Sequence, residues 1–144
     1  MGKIKIWIDE AWRWPWLWSV VACALCFDSD NLPNKKFLDE INDSKKLTHK
    51  KREKLYKKLI ELSLPFPKGI PEVGGIKKSR PQVFFGVWVV DNYLIDEINI
   101  RQANRKAMRR ALIELLRKID NENISSVVID GNDNYKFDEL KKQP

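Results

Sequence analysis

Glycine is scarce in this chain: 6 of 144 residues, about 4%, against roughly 7% in an average globular protein. Cysteine is scarcer still, at two. That is too few for the disulfide framework of a small secreted domain, so the expected compartment is the cytoplasm. No stretch approaches the ~18 apolar residues of a membrane span. The N-terminus lacks a signal-peptide layout, and no membrane partner is expected. The single histidine, His49, sits among lysines at a predicted helix start and reads as a surface residue. No Ser or Cys triad can be assembled. The length excludes two ordinary domains and allows one, spanning 1–144.

Tryptophan and positive charge are in surplus. The six Trp stand at 7, 12, 14, 16, 18 and 88, five of them between residues 7 and 18. Lys and Arg number 27 against 20 Asp and Glu, a net +7, which favours polyanionic partners, nucleic acid first.

Patterning predicts an α/β domain with a mixed sheet. Lys3 to Asp9 alternates charged and apolar residues, the period of a half-buried strand. Ser19 to Phe27 is a nearly continuous apolar run and reads as a buried second strand. Thr48 is a plausible N-cap for a helix from His49 to about Leu62. Residues 63–82 hold four prolines and three glycines and read as a loop. Val83 to Val90 is a third strand. Asp96 offers an N-cap for the clearest signal in the chain, in which Ile100, Ala103, Ala107, Met108, Ala111, Leu112, Leu115, Leu116 and Ile119 recur at three and four. Ile124 to Asp130 is a fourth strand, Gly131-Asn132 a turn, and Tyr135 to Lys142 a short final helix.

Asp9 and Glu10 end the first predicted strand and Asp130 the fourth. Carboxylates at strand ends can converge on one edge of an open α/β sheet. Without His or thiolate they make a hard-oxygen set suited to Mg²⁺ or Mn²⁺. The competing reading is three acids that merely cap strands and solvate turns. Between Ser44 and Lys58 eight basic residues are opposed only by Glu53. Such a run is either a solvated helix face or a phosphate-binding edge, for which Ser44, Lys45 and Lys46 lie suitably just before the helix. Cys23 and Cys26 match C-x-x-C, but residues three apart in a strand point to opposite faces, so they read as core cysteines. Trp12 to Trp18, taken literally, suggests an interfacial membrane peptide or a stacking platform for single-stranded bases.

Several segments together resemble bacterial ribonuclease HII. That family opens with a strand ending in G-I-D-E-A-G-R-G-P, and this chain has Trp7-Ile-Asp-Glu-Ala-Trp-Arg-Trp-Pro15. The D-S-K-K-L-[ST] motif is intact as Asp43-Ser-Lys-Lys-Leu-Thr48, followed by Arg52 in the family's K-x-R-E-x-L context. The I-D-x-x-N-I segment is Ile95-Asp-Glu-Ile-Asn-Ile100, and I-D-G-N is Ile129-Asp-Gly-Asn132. The resemblance implies a ribonuclease H-like mixed β-sheet flanked by helices, incomplete at the C-terminus. It implies a metal-dependent endonuclease that cleaves the RNA strand of RNA–DNA hybrids and incises 5′ to ribonucleotides embedded in duplex DNA, leaving 3′-hydroxyl and 5′-phosphate ends. Asp9, Glu10 and Asp130 correspond to three of the family's acidic ligands for Mn²⁺ or Mg²⁺, two ions during catalysis. Trp12, Arg13 and Trp14 fall on its ribose-sensing G-R-G, and Ser44, Lys45, Lys46 and Asn99 on substrate-backbone contacts. The expected state is a monomer. The alternative is a catalytically inactive basic domain that binds nucleic acid.

The departures from the family share one character. Trp7, Trp12, Trp14, Trp18 and Trp88 stand where the family has or favours glycine. Glycine at all five would bring the count to 11 of 144, near the average. One mechanism accounts for all of them: UGA codons that mean glycine in the source organism, translated here as tryptophan. At 12 and 14 the matter is functional, because glycine lets a backbone approach a 2′-hydroxyl and an indole obstructs it.

Overall fold

The computed structural model describes residues 3–11, 19–64, 81–119 and 123–130. Four strands form one mixed sheet in the order β3-β2-β1-β4. Strand β1 (Ile4–Ala11) runs antiparallel to β2 (Val20–Phe27), which runs antiparallel to β3 (Val83–Val90). Strand β4 (Ile124–Ile129) joins the other side of β1 in parallel, with Ile8 opposite Ile129. Three of the four strand predictions differ at an end. The first strand extends two residues beyond Asp9, so Asp9 and Glu10 lie inside it rather than at its end. The second starts at Val20, and the fourth stops one residue before Asp130.

Between β2 and β3 come α1 (Lys35–Glu40), a 3-10 turn (Ser44–Lys46) and α2 (His49–Ser63). Thr48 caps α2 as expected, its hydroxyl accepting from the Lys51 amide at 3.3 Å. The first two elements are too short to carry a periodic signal, and the sequence does not announce them. After β3 come α3 (Asn92–Ile98) and α4 (Ile100–Leu116). The N-cap expected at Asp96 is a correction: Asp96 lies inside α3, which Asp91 caps. Asn99 caps α4 instead. Its φ of 68° breaks the helical path between the two helices, and its Oδ1 accepts from the Gln102 amide at 3.1 Å.

The alternation of the strands decides where the core lies. Ile6, Ile8, Val20, Ala22, Ala24 and Cys26 point to one face and are buried there, with the apolar stripe of α4 (Ala103, Ala107, Met108, Ala111, Leu112, Leu115) in the same cluster. Small residues let the helix come close. A Cβ built on Gly86 would lie 2.1 Å from the Ala111 carbonyl oxygen and 2.5 Å from the Leu115 nitrogen, so no larger residue fits there unless the backbone moves. Gln82 knits the end of the sheet together: its amide donates to the Leu62 carbonyl and its carbonyl accepts from Asp28, each at 2.9 Å.

Cys23 and Cys26 fall on opposite faces, as strand geometry requires. Cys26 is buried, which pushes its thiol up to about 11, and Cys23 is half-buried with its thiol also raised. Trp7 and Trp88 need no tight pocket. Trp7 lies on the face away from α4, edge-on to Phe27 with ring centroids 6.1 Å apart. Trp88 packs at the margin of the core beneath the Arg110 guanidinium, 5.6 Å from its ring centre. Of the loop expected over 63–82, Ser63 instead belongs to α2, and 65–80 lie outside the described residues, as do Trp12 to Trp18, the turn at Gly131-Asn132 and the helix expected over Tyr135 to Lys142.

Candidate active site

The site is assembled by strand register. Because β1 and β4 are parallel and Ile8 faces Ile129, the next residues along, Asp9 and Asp130, come side by side on adjacent strands. The Asp130 amide donates to the Ile8 carbonyl at 3.1 Å, extending the ladder one step past β4 and fixing the start of the Asp130 side chain. Asp9 belongs to the face away from α4, and Glu10, one residue on, to the face that α4 covers. Both acids are held above their ordinary values. Burial is the largest cause for each, and repulsion from Asp130 adds to it; for Glu10 the Asp9 charge adds as well. Hydrogen bonds work the other way. The Glu10 amide donates to Asp9 Oδ1 at 2.8 Å, and the nearby Asn104 side chain draws the Glu10 carboxyl down.

The D-S-K-K-L-T segment reaches the same place. Lys45 is near enough to Asp9 to draw its carboxyl down, while Asp43 pushes it up. Asp43 also caps the 3-10 turn, its Oδ1 accepting from the Lys45 amide at 3.0 Å. The turn is clamped from behind by Arg52, whose guanidinium donates to the Ser44 carbonyl at 3.0 Å and the Leu47 carbonyl at 2.6 Å. Ser44, Lys45 and Lys46 are all exposed. Other members of the basic run are occupied on the helix surface, Lys57 with Glu53 at 3.0 Å and Lys58 with Glu61 at 3.1 Å. The run is therefore divided: Lys45 faces the carboxylates, Arg52 supports the turn, and Lys57 and Lys58 pair with acids along α2.

Asn99 sits at the start of the helix whose second turn touches Glu10. For a residue other than glycine, its φ of 68° with ψ of 161° is a strained backbone. Trp12, Arg13 and Trp14 lie outside the described residues. Among the described residues no three acid, imidazole or thiol groups converge as a metal site. What is present is a group of carboxyls on neighbouring strands that repel one another, with Glu10 Oε2 buried and without a partner.

Asn104 is the site residue that sequence reading missed. It occupies the row Ile100–Asn104–Met108–Leu112, spaced by four along the buried stripe of α4, where every other member is apolar. A polar residue in that row was the available signal. Farther along, the outward side of α4 carries Arg105, Lys106, Arg109 and Arg110 around a shallow groove of about 520 Å³.

Known proteins resemble this chain over most of its length. Ribonuclease HII matches residues 6–144. The ribonuclease HII of Fusobacterium nucleatum is 39% identical over 130 residues, covering 90% of this chain and 49% of that protein. That of Caldanaerobacter subterraneus is 41% identical over 113 residues, covering 78% and 37%, and that of Acinetobacter baylyi 39% over 125 residues, covering 87% and 51%. The chain thus spans between about a third and a half of these relatives' length. A crystal structure of a Bst-RNase HIII mutant superposes with a TM-score of 0.59 over 97% of this chain and 40% of the other, at 18% identity, and shows the shared fold.

Proposed function

We infer from one established premise, that this chain belongs to the ribonuclease HII family, that its carboxylate edge is a divalent-metal phosphodiesterase site. Its substrates are RNA–DNA hybrids and DNA duplexes carrying embedded ribonucleotides. The observation that carries the reading is the pairing of Asp9 with Asp130 across parallel strands, with Glu10 beside them and Lys45 facing in. Oxygen-only donors fit Mg²⁺ or Mn²⁺. The raised acids and the unmet Glu10 Oε2 mark an anionic site whose charge Lys45 does not fully offset. Asp9, Glu10 and Asp130 would hold the ions. The chemistry such ions supply when bound is activation of a water and stabilisation of the departing 3′-oxygen.

The chain's own residues supply position. Lys45, on a turn pinned by Arg52, brings a cation near Asp9 where a phosphate would approach, and Ser44 and Lys46 on the same turn are assigned to the substrate backbone with it. Asn99, at the head of α4, is a further substrate-backbone contact, and the strain it bears is typical of a functional position. Arg13, with Trp12 and Trp14, is assigned to the ribose. No helix among the described residues is long and apolar enough to cross a membrane, and a monomer in the cytoplasm is the proposed state.

A second reading, a basic domain that binds nucleic acid without cutting it, is favoured by one observation: among the described residues no three acids converge as a metal site. A single assay separates the two. On a duplex with one ribonucleotide, the chain should nick on its 5′ side in Mg²⁺ or Mn²⁺ and not in excess chelator. Asp9→Asn should cost at least about 100-fold, since metal-borne charge stabilisation is worth several kcal/mol. Salt-sensitive binding with no metal-dependent nick would establish the second reading.

A further inference from the structure

The outward side of α4 concentrates positive charge. From Ile98 to Ile113 the chain holds five basic residues, Arg101, Arg105, Lys106, Arg109 and Arg110, and no Asp or Glu. Four of them, Arg105, Lys106, Arg109 and Arg110, line the groove of about 520 Å³ together with Ile113. Lys106 and Arg110 are exposed, and neither makes an ion pair among the described residues. Being four apart, they are neighbours of like charge on one side of the helix, a pairing that an anion lying against both would turn favourable. The Arg110 guanidinium is held over the Trp88 ring, 5.6 Å from its centre, which orders the side chain and leaves its charge intact. On α2 the position is different, since Lys57 and Lys58 already have Glu53 and Glu61.

Position separates this face from the carboxylate edge. Asn99 heads α4 at that edge, and Lys106 and Arg110 lie about 10 and 16 Å farther along the helix at 1.5 Å per residue. The rise of about 6 Å between them spans roughly two phosphates of one strand, spaced about 3.4 Å along a duplex axis. A membrane surface fits the helix poorly. Ala103, Ala107, Met108, Ala111 and Leu112 are buried in the core, so α4 has no apolar side left to enter a bilayer.

We propose that the outward face of α4 is a second nucleic-acid surface, where Lys106 and Arg110 hold the phosphate backbone of a duplex segment beyond the one at the carboxylate edge. Contacts of this kind read no sequence; they add affinity and fix orientation. The proposal rests on nucleic acid as the partner, which both readings above share, and it is independent of metal.

The test is fluorescence anisotropy of a labelled DNA duplex without ribonucleotides, in chelator, over a range of salt concentrations. Lys106→Gln combined with Arg110→Gln should flatten the slope of log affinity against log salt by about 1.8, taking ~0.9 per phosphate contact. If that pair does not fold, Lys106→Gln alone should flatten it by about 0.9. Lys57→Gln combined with Lys58→Gln removes the same charge from cations that already have acidic partners, and should have less than half the effect of the α4 pair. A slope unchanged by the α4 substitutions, or an equal loss from the α2 pair, would overturn the proposal and leave the carboxylate-edge reading intact. Lost binding to phosphatidylserine vesicles with an unchanged duplex slope would assign the face to a membrane and overturn it as well. An unaltered chain that binds no duplex would overturn it together with both readings of the function.

Discussion

On the side of the sheet that α4 covers, Ile6, Ala22 and Ala24 are 0% exposed, and Ala103, Ala107, Ala111, Leu112 and Leu115 of the helix are likewise closed off. On the opposite side Trp7, Val87, Val89 and Val128 are 41%, 43%, 53% and 40% exposed. The same four strands supply both faces, so strand propensity cannot explain the difference. What differs is the facing layer. The covered face has Ala22, Ala24 and Gly86 at its centre with Phe84 and Trp88 at its margin, and the small central residues let a helix backbone settle against strand β3 at Gly86. The other face carries Trp7, Leu25, Phe27, Phe85, Val87 and Val89, and the described helices reach it only in part. The main core therefore lies on one face, while on the other the start of β3 is also closed off at Val83. The site spans both: Glu10 stands on the covered side under Asn104, and Asp9 and Asp130 on the other.

The largest effect should come from the tightest contact. Gly86→Val should abolish cooperative folding or cost at least about 3 kcal/mol, above the usual 1–3 kcal/mol of overpacking. The colliding atoms are backbone atoms of α4 rather than the ends of flexible side chains. Urea unfolding measures it. A Gly86→Val midpoint close to that of the parent would mean that α4 does not lie against β3 as described, and the contrast between the faces would collapse.

The fold was largely legible in the sequence because its strong periodic signals survive folding. The β3 limits, the stripe of α4 and the Thr48 cap are all local patterns reinforced by burial. The α4 start was misread because Asp91, Asp96 and Asn99 are all acceptable caps, and what selects Asn99 is a positive φ that no side-chain pattern reveals. At the site, Asp9, Glu10 and Asp130 could be named from the sequence, but their division between two faces follows from where β1 ends and how β4 registers against it. Asn104 escaped notice because one polar residue hardly changes the amphipathic pattern of a 17-residue helix.

An intermediate effect belongs to Glu10, whose acid form the fold favours. A carboxyl raised in the folded state contributes stability that is fully present below its unfolded value, and that contribution is lost as pH rises through the folded value. At neutral pH, without metal, Glu10 is therefore a liability. Glu10→Gln should raise the unfolding temperature there by about 1–4 °C. The advantage should fade as pH falls toward and below 4.5, the ordinary glutamate value. Saturating Mn²⁺ should reverse the order, because it binds the folded parent more tightly than the variant. Calorimetry at several pH values checks this, and a parent more stable than Glu10→Gln without metal at pH 7 would contradict the burial argument.

The smallest effect should appear on the open face, and it tests the comparison most directly. Val89→Thr keeps the β-branched shape and strand preference while replacing a methyl by a hydroxyl. At a position 53% exposed the hydroxyl finds water, so the change in stability should stay within about 0.5 kcal/mol. The same exchange one residue along, Val90→Thr, places the hydroxyl on the covered face, where valine is 2% exposed. There an unpaired hydroxyl should cost about 1–3 kcal/mol. Val87→Thr combined with Val89→Thr should also delay thermal aggregation, since it breaks up exposed apolar surface on that face. Equal costs at 89 and 90 would mean that the open face is covered in solution. Sedimentation of the parent would then show whether self-association supplies the cover.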